Sequence, residues 1–179
     1  PKDSSIFEYY YDPAEEVWSP FSDFVHPYEY HPIGWKPGET DFSTVFVEYS
    51  DTVKNSRILQ LLVEHEQACV LVGLAGTGKT VLMEQYLELA DPETLQTSTI
   101  DVNFYLEHKD VQHAIESVID KRSGRIFGPP TGKKMLFFLD DLNLPEIEEF
   151  GTQNAHSMLR MIMDLRTFYD REDLSFRDR

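Results

Sequence analysis

Apolar and polar positions alternate along the chain in two rhythms. Four short apolar or β-branched runs read as strands: Thr44–Val47, Ala68–Val72, Thr97–Phe104 and Met135–Leu139. Between them lie stretches of helical spacing. Val53, Ile58, Leu59, Leu61 and Leu62 form a face that Asp51 or Thr52 can cap and that ends near His65. Val81 to Ala90 carries a helical pattern that Asp91-Pro92 stops. Val111, Ala114, Ile115, Val118 and Ile119 recur at helical spacing after a cap at Asp110. Met158, Met161, Ile162, Leu165, Phe168 and Tyr169 give a last helical stripe, expected to be core. The uninterrupted run at Met135–Leu139 suits a parallel strand buried on both faces, and strand–helix alternation predicts an α/β fold with a parallel sheet flanked by helices.

The first 43 residues break this rhythm. Phe7, Tyr9, Tyr10, Tyr11, Trp18, Phe21, Phe24, Tyr28, Tyr30 and Trp35 alternate with Pro13, Pro20, Pro27, Pro32 and Pro37. Proline this often forbids a long helix, so residues 1–43 are expected to be short extended pieces packed on a neighbouring surface, and 44–179 the α/β core. Residues 121–134 are expected to be a loop rich in glycine, proline and base.

The 179 residues suit about one core, and 41% hydrophobic with 27% charged residues is ordinary for a globular chain. No run approaches a membrane span, no signal peptide is evident, and the missing initial Met suits an excerpt. Sixteen basic against 32 acidic residues, a net charge of −16, argue against a nucleic-acid surface. The single cysteine, Cys69, cannot form an internal disulfide and reads as a small buried hydrophobe in a reducing compartment.

The chemistry is carried by Gly73-Leu74-Ala75-Gly76-Thr77-Gly78-Lys79-Thr80, a phosphate loop between an apolar run and a helix. Its glycines allow successive N–H groups to curl around an anion, and the helix beginning near Val81 points its positive end at the same charge. Lys79 would reach the outer phosphates and Thr80 would ligate Mg²⁺. The run Met135–Leu139 delivers Asp140 and Asp141 to a strand end, where ligands of open α/β sheets bind. Asp140 would hold Mg²⁺ through water, and Asp141 stands where a hydrolytic site needs a carboxylate to orient water. Gly128-Pro-Pro-Thr-Gly-Lys133 imitates the phosphate loop but is one residue short, lacks the hydroxyl after lysine and precedes a strand. The six histidines show no zinc-binding spacing.

More specific stretches surround these residues. Leu139-Asp-Asp-Leu-Asn-Leu-Pro145, Phe150-Gly-Thr-Gln153, Leu159-Arg160 and Tyr169-Asp-Arg171 resemble a dynein heavy chain, as do Lys121–Pro130 and Ile6–Tyr10 with Trp18-Ser-Pro20. The resemblance is nearest to the third AAA+ module of axonemal, outer-arm-type heavy chains. It implies a P-loop NTPase of AAA+ type, truncated at its C-terminus, within a motor ring that slides microtubules in cilia and flagella. It also implies ATP or ADP with Mg²⁺ as cofactors, a cytoskeletal, axonemal location, and neighbouring AAA+ modules, intermediate and light chains and microtubules as partners. Phosphate binding is implied for Gly73–Val81, metal binding for Thr80 and Asp140, and catalysis for Lys79 and Asp141. Asp141 departs from the Glu of many AAA+ proteins, and its shorter side chain puts water orientation in doubt. The sensor strand, helical lid and arginine finger of the family do not appear in the chain, so hydrolysis by it alone is expected to be near background. Two functions stay open: a regulatory ATPase module with slow hydrolysis, or a non-catalytic module whose nucleotide only stabilises the ring. A small-molecule kinase is disfavoured, because no acceptor site or lid is recognisable.

Overall fold

A tyrosine-rich hairpin opens the described chain. The computed structural model describes residues 5–28, 46–172 and 174–178. The expected boundary at 43/44, Thr44 and Val45 of the first apolar run, and Tyr30, Trp35, Pro32 and Pro37 lie outside the described residues. By backbone contacts the chain divides into two compact units, residues 1–88 and 89–179.

In the first unit β1 (Tyr9–Asp12) pairs antiparallel with β2 (Val17–Pro20), Tyr9 opposite Pro20 and Asp12 opposite Val17. The connection turns because Asp12 accepts from the Ala14 N–H at 2.9 Å and Glu16 takes a left-handed φ of 56°. Phe21, 7% exposed, follows in a 3-10 turn that packs on α1 (Ser50–Glu64). Arg57 of α1 donates to the Tyr10 hydroxyl at 3.1 Å and lies 5.2 Å from the centre of its ring. The aromatics thus find partners, but Phe7 and Trp18 remain 77% and 54% exposed.

The helix cap differs from expectation. Neither Asp51 nor Thr52 precedes α1. Thr52 instead acts from the third helical position, where its hydroxyl accepts from the Tyr49 N–H at 2.9 Å and donates to the Tyr49 carbonyl at 2.8 Å. Asp110 repeats the device in the second unit, accepting from the Glu107 N–H at 3.0 Å.

The expected strand at Ala68–Val72 is not formed as a ladder. Residues 67–74 are irregular, Val70 and Val72 are 68% and 89% exposed, and Cys69 is exposed as well. Apolar alternation marks what a strand would bury, but a strand exists only where a neighbour accepts and donates its hydrogen bonds. Among the described residues no strand pairs with this run. Helix α2 (Lys79–Leu89) follows, burying Leu82 and Met83, each contributing about 1.5–3 kcal/mol.

The second unit is α/β. Strands β3 (Leu95–Asp101) and β6 (Lys134–Asp140) are parallel, in register from Leu95 beside Lys134 to Asp101 beside Asp140. Helices α3 (His108–Glu116) and α4 (Asn154–Leu165) pack on the pair and on each other. Ile100, Val111, Ile115, Ala155, Met158 and Phe168 form the core, with Val111 fully buried. The run Met135–Leu139 is half-buried, not enclosed on both faces; Phe137 and Leu139 are packed against the core.

Two expectations change here. Residues 121–134 contain strands: β4 (Asp120–Ser123) and β5 (Ile126–Gly128) turn around Gly124, whose φ is 56°. Their polar residues are exposed, so no buried face announced them. The stripe ending in Phe168 and Tyr169 is not one helix. α4 stops where Arg166 adopts a left-handed φ of 53°, and β7 (Thr167–Tyr169) begins. β8 (Phe176–Asp178) joins β7 to β5, giving a second sheet ordered β4-β5-β8-β7. Among the described residues no helix is long and apolar enough to cross a membrane.

Candidate functional site

The phosphate-loop residues lie in the first unit. Gly76 and Gly78 have φ of 77° and 78°, in the left-handed region that side chains disfavour. A Cβ at either would meet nothing within 4 Å, so the glycines are required by backbone shape, not by crowding. Gly73 works differently. Its φ is ordinary, and an added Cβ would come 3.1 Å from Thr77 Oγ1 and 3.7 Å from Lys79 Cδ. Thr77 Oγ1 donates to the Leu74 carbonyl at 2.9 Å and closes the loop. Lys79 Nζ donates to the carbonyls of Gly73 at 3.0 Å and Leu74 at 2.8 Å. The loop's cation is therefore held over its own mouth by weak, neutral acceptors that a phosphate oxygen can replace with a charge-assisted bond. Thr80 and Val81 stand in the first turn of α2, where N–H groups lack helical partners.

The acidic pair lies in the second unit, at the C-terminal end of β6. Asp140 is half-buried and its Oδ1 accepts from the Asp141 N–H at 2.9 Å. Asp141 is exposed and has a φ of 51°, uncommon for a residue other than glycine. The strand register adds Asp101 beside Asp140, which a one-dimensional reading could not find because the two are on separate strands. The donor set suits Mg²⁺, which takes hard oxygen ligands, one or two carboxylates and otherwise phosphate and water. Among the described residues no cluster of three or more His, Cys, Asp or Glu side chains could hold a metal by itself.

The look-alike loop is used elsewhere. Lys133 Nζ donates to the Pro92 carbonyl at 2.8 Å, and Arg122 donates to the Pro129 carbonyl. Lys134 then enters β6 directly, so no helix end faces this loop.

Residues 142–154, past the acidic pair, are tied down by backbone and side-chain bonds. Leu144 N–H donates to the Asp141 carbonyl at 2.9 Å and Glu146 N–H to the Phe104 carbonyl at 3.0 Å. Glu148 accepts from the Thr152 hydroxyl at 2.9 Å and from the Asn154 amide. The Gly-Thr-Gln segment, singled out by resemblance alone, so belongs to the loop that follows Asp141.

Residues 35–178 match the family described as the P-loop containing dynein motor region. Over 178 residues the chain is 33% identical to dynein axonemal heavy chain 9 of Homo sapiens and 35% identical to dynein axonemal heavy chain 17 of Homo sapiens. It is 30% identical, over the same length, to the dynein beta chain, flagellar outer arm, of Chlamydomonas reinhardtii. Each alignment covers 99% of this chain and 4% of the relative, so the chain spans a small part of those proteins. A loop with two left-handed glycines just before a lysine, at the head of a helix, and a match over residues 35–178 lead to one conclusion: the chain belongs to the P-loop-containing dynein motor region family.

Proposed function

We propose that this chain is an ATP-binding AAA+ module of an axonemal dynein heavy chain, the third of the ring, and that its site regulates the motor through slow hydrolysis. In this reading the backbone of Gly73–Val81 holds the phosphates and Lys79 moves from the Gly73 and Leu74 carbonyls to the outer phosphate oxygens. Thr80 and Asp140 hold Mg²⁺, which when bound neutralises charge on the phosphates. Asp141 orients water. The observation that carries the reading is the pair of left-handed, uncrowded glycines flanking Thr77, immediately before Lys79 and α2. The names of the relatives, which are axonemal and flagellar dyneins, support a place in the axoneme, with other modules of the same heavy chain, intermediate and light chains and microtubules as partners. Preference for adenine rests on family membership.

Calorimetry with ATP, ADP and GTP in Mg²⁺ tests the reading. Mg-ATP should bind, and Lys79→Ala should abolish binding. Unchanged affinity in that variant would overturn the assignment.

The second reading, nucleotide as a structural element of the ring, is favoured by Asp141 itself. Its side chain is a methylene shorter than Glu, it is exposed, and its backbone is left-handed. Single-turnover hydrolysis no faster than background in the wild type supports the structural role; hydrolysis above background that is lost in Asp141→Asn supports the regulatory ATPase.

A further inference from the structure

Two side chains at the start of α4 hold the backbone that follows the acidic pair. Gln153 Nε2 donates to the Pro145 carbonyl at 2.5 Å and reaches the Asn143 carbonyl at 3.5 Å. His156 Nε2 lies 2.6 Å from the Leu142 carbonyl. A carbonyl only accepts, so Nε2 carries the proton whether the ring is neutral or charged. Three successive regions of the loop, at Leu142, Asn143 and Pro145, are thereby fixed to one helix. Gln153 and His156 are both half-buried and Pro145 is buried, so the bonds to the Pro145 and Leu142 carbonyls are partly shielded from water, while the contact with the Asn143 carbonyl is exposed.

This matters because of what the clamp adjoins. Asp141 precedes Leu142 directly and holds a left-handed φ of 51° without a glycine's freedom. A backbone in that region persists where its surroundings over-determine it. The Leu144 N–H to Asp141 carbonyl bond closes the turn from one side, and the Gln153–His156 clamp fixes the carbonyls that come next. The Asp141 N–H in turn holds the Asp140 carboxylate, so the orientation of Asp140 depends on where the Asp141 backbone sits.

We propose that Gln153 and His156 are positioning residues for the Asp140–Asp141 segment: they act on the Mg-nucleotide only through the loop backbone. The link to Mg²⁺ rests on the proposed nucleotide site, but the clamp itself is a property of this unit.

The experiment compares the wild-type chain with Gln153→Glu, His156→Phe and His156→Gln. Glu is isosteric with Gln but acceptor-only when ionised, and so faces two carbonyls without a donor. Phe keeps a ring without a donor, and Gln at 156 restores an N–H. Hydrogen exchange reads the clamp without nucleotide. At the Leu144 and Glu146 amides, Gln153→Glu and His156→Phe should speed exchange about tenfold, the cost of one lost hydrogen bond. The β3 and β6 amides should be unchanged, and His156→Gln should recover most of the protection. With ATP, the ratio of affinities with and without Mg²⁺ should fall by about tenfold in the first two variants, as for other residues that orient a metal ligand. Affinity without Mg²⁺ should hold, which a general folding defect would not allow. Unchanged loop exchange in both donor-free variants would overturn the clamp. Faster loop exchange with an unchanged Mg²⁺ ratio would overturn the positioning role. A wild-type chain that binds no nucleotide would sink the proposed nucleotide site, and the exchange measurement would then decide the clamp alone.

Discussion

At the scale of single residues, the phosphate loop shows two separate reasons for glycine. Gly76 and Gly78 are needed for φ, and Gly73 because Thr77 Oγ1 and Lys79 occupy the space a side chain would take. Gly78→Ala should cost about 1–2 kcal/mol through the left-handed penalty. For a chain of this size that lowers Tm by about 2–4 °C per kcal/mol. Gly124→Ala is the control, with a φ of 56° and equally open surroundings, but in the turn between β4 and β5. Both should lose similar thermal stability by calorimetry, while only Gly78→Ala should lose nucleotide affinity. Equal affinity losses would show that strain in general, not the loop, matters. The residues of this loop were legible in one dimension because a phosphate cradle demands fixed spacing. Asp140 was legible as a strand end. Gln153 and His156 were not, since a residue that clamps a backbone carbonyl shows no spacing rule and reveals itself only when the chain is folded around it.

Elements were legible where burial is local and one-sided. The face of α3, with Val111 and Ile115 in the core, is legible in helical spacing, although the expected stripe runs on to Val118 and Ile119, past the helix end at Glu116. The pattern at Ala68–Val72 promises a strand that the described residues do not pair, because it reports the partner the run wants and not the partner it has. The β4–β5 hairpin is silent in the pattern because its residues are mostly exposed, and the helical stripe overruns α4 because Phe168 reaches the core from a strand after a left-handed turn. The element that no pattern announced is a polar hub. Gln112, 4% exposed, donates through Nε2 to the Tyr169 carbonyl at 2.8 Å and to Glu116 at 2.7 Å, and accepts at Oε1 from Arg171 at 2.8 Å. Arg177 pairs with Glu116 at 2.9 Å and with Asp170, and stacks 4.8 Å over the Phe127 ring. The hub ties α3 to the second sheet. Gln112→Leu has nearly the right volume but leaves the Tyr169 carbonyl and Arg171 without their partner. Chemical denaturation should show a loss of about 1–3 kcal/mol, and a neutral result would mean that packing, not hydrogen bonding, holds that sheet.

For the whole molecule, a net charge of −16 would, in the proposed reading, have to coexist with a polyanionic ligand. In that reading the conflict is resolved locally: backbone N–H groups, Lys79 and a divalent cation would make one small positive site on an acidic chain. That Thr80 and Asp140 act on one Mg²⁺ is a claim about energy in the proposed reading, and a measurement can isolate it. A double-mutant cycle on Mg-ATP affinity, using Thr80→Ala, Asp140→Asn and the pair, does so. If one Mg²⁺ is shared, the combined loss should fall short of the sum by about 1 kcal/mol or more, the coupling expected of groups with a common partner. Strictly additive losses would contradict the account, because the loop and the acidic strand end would then be acting on different things.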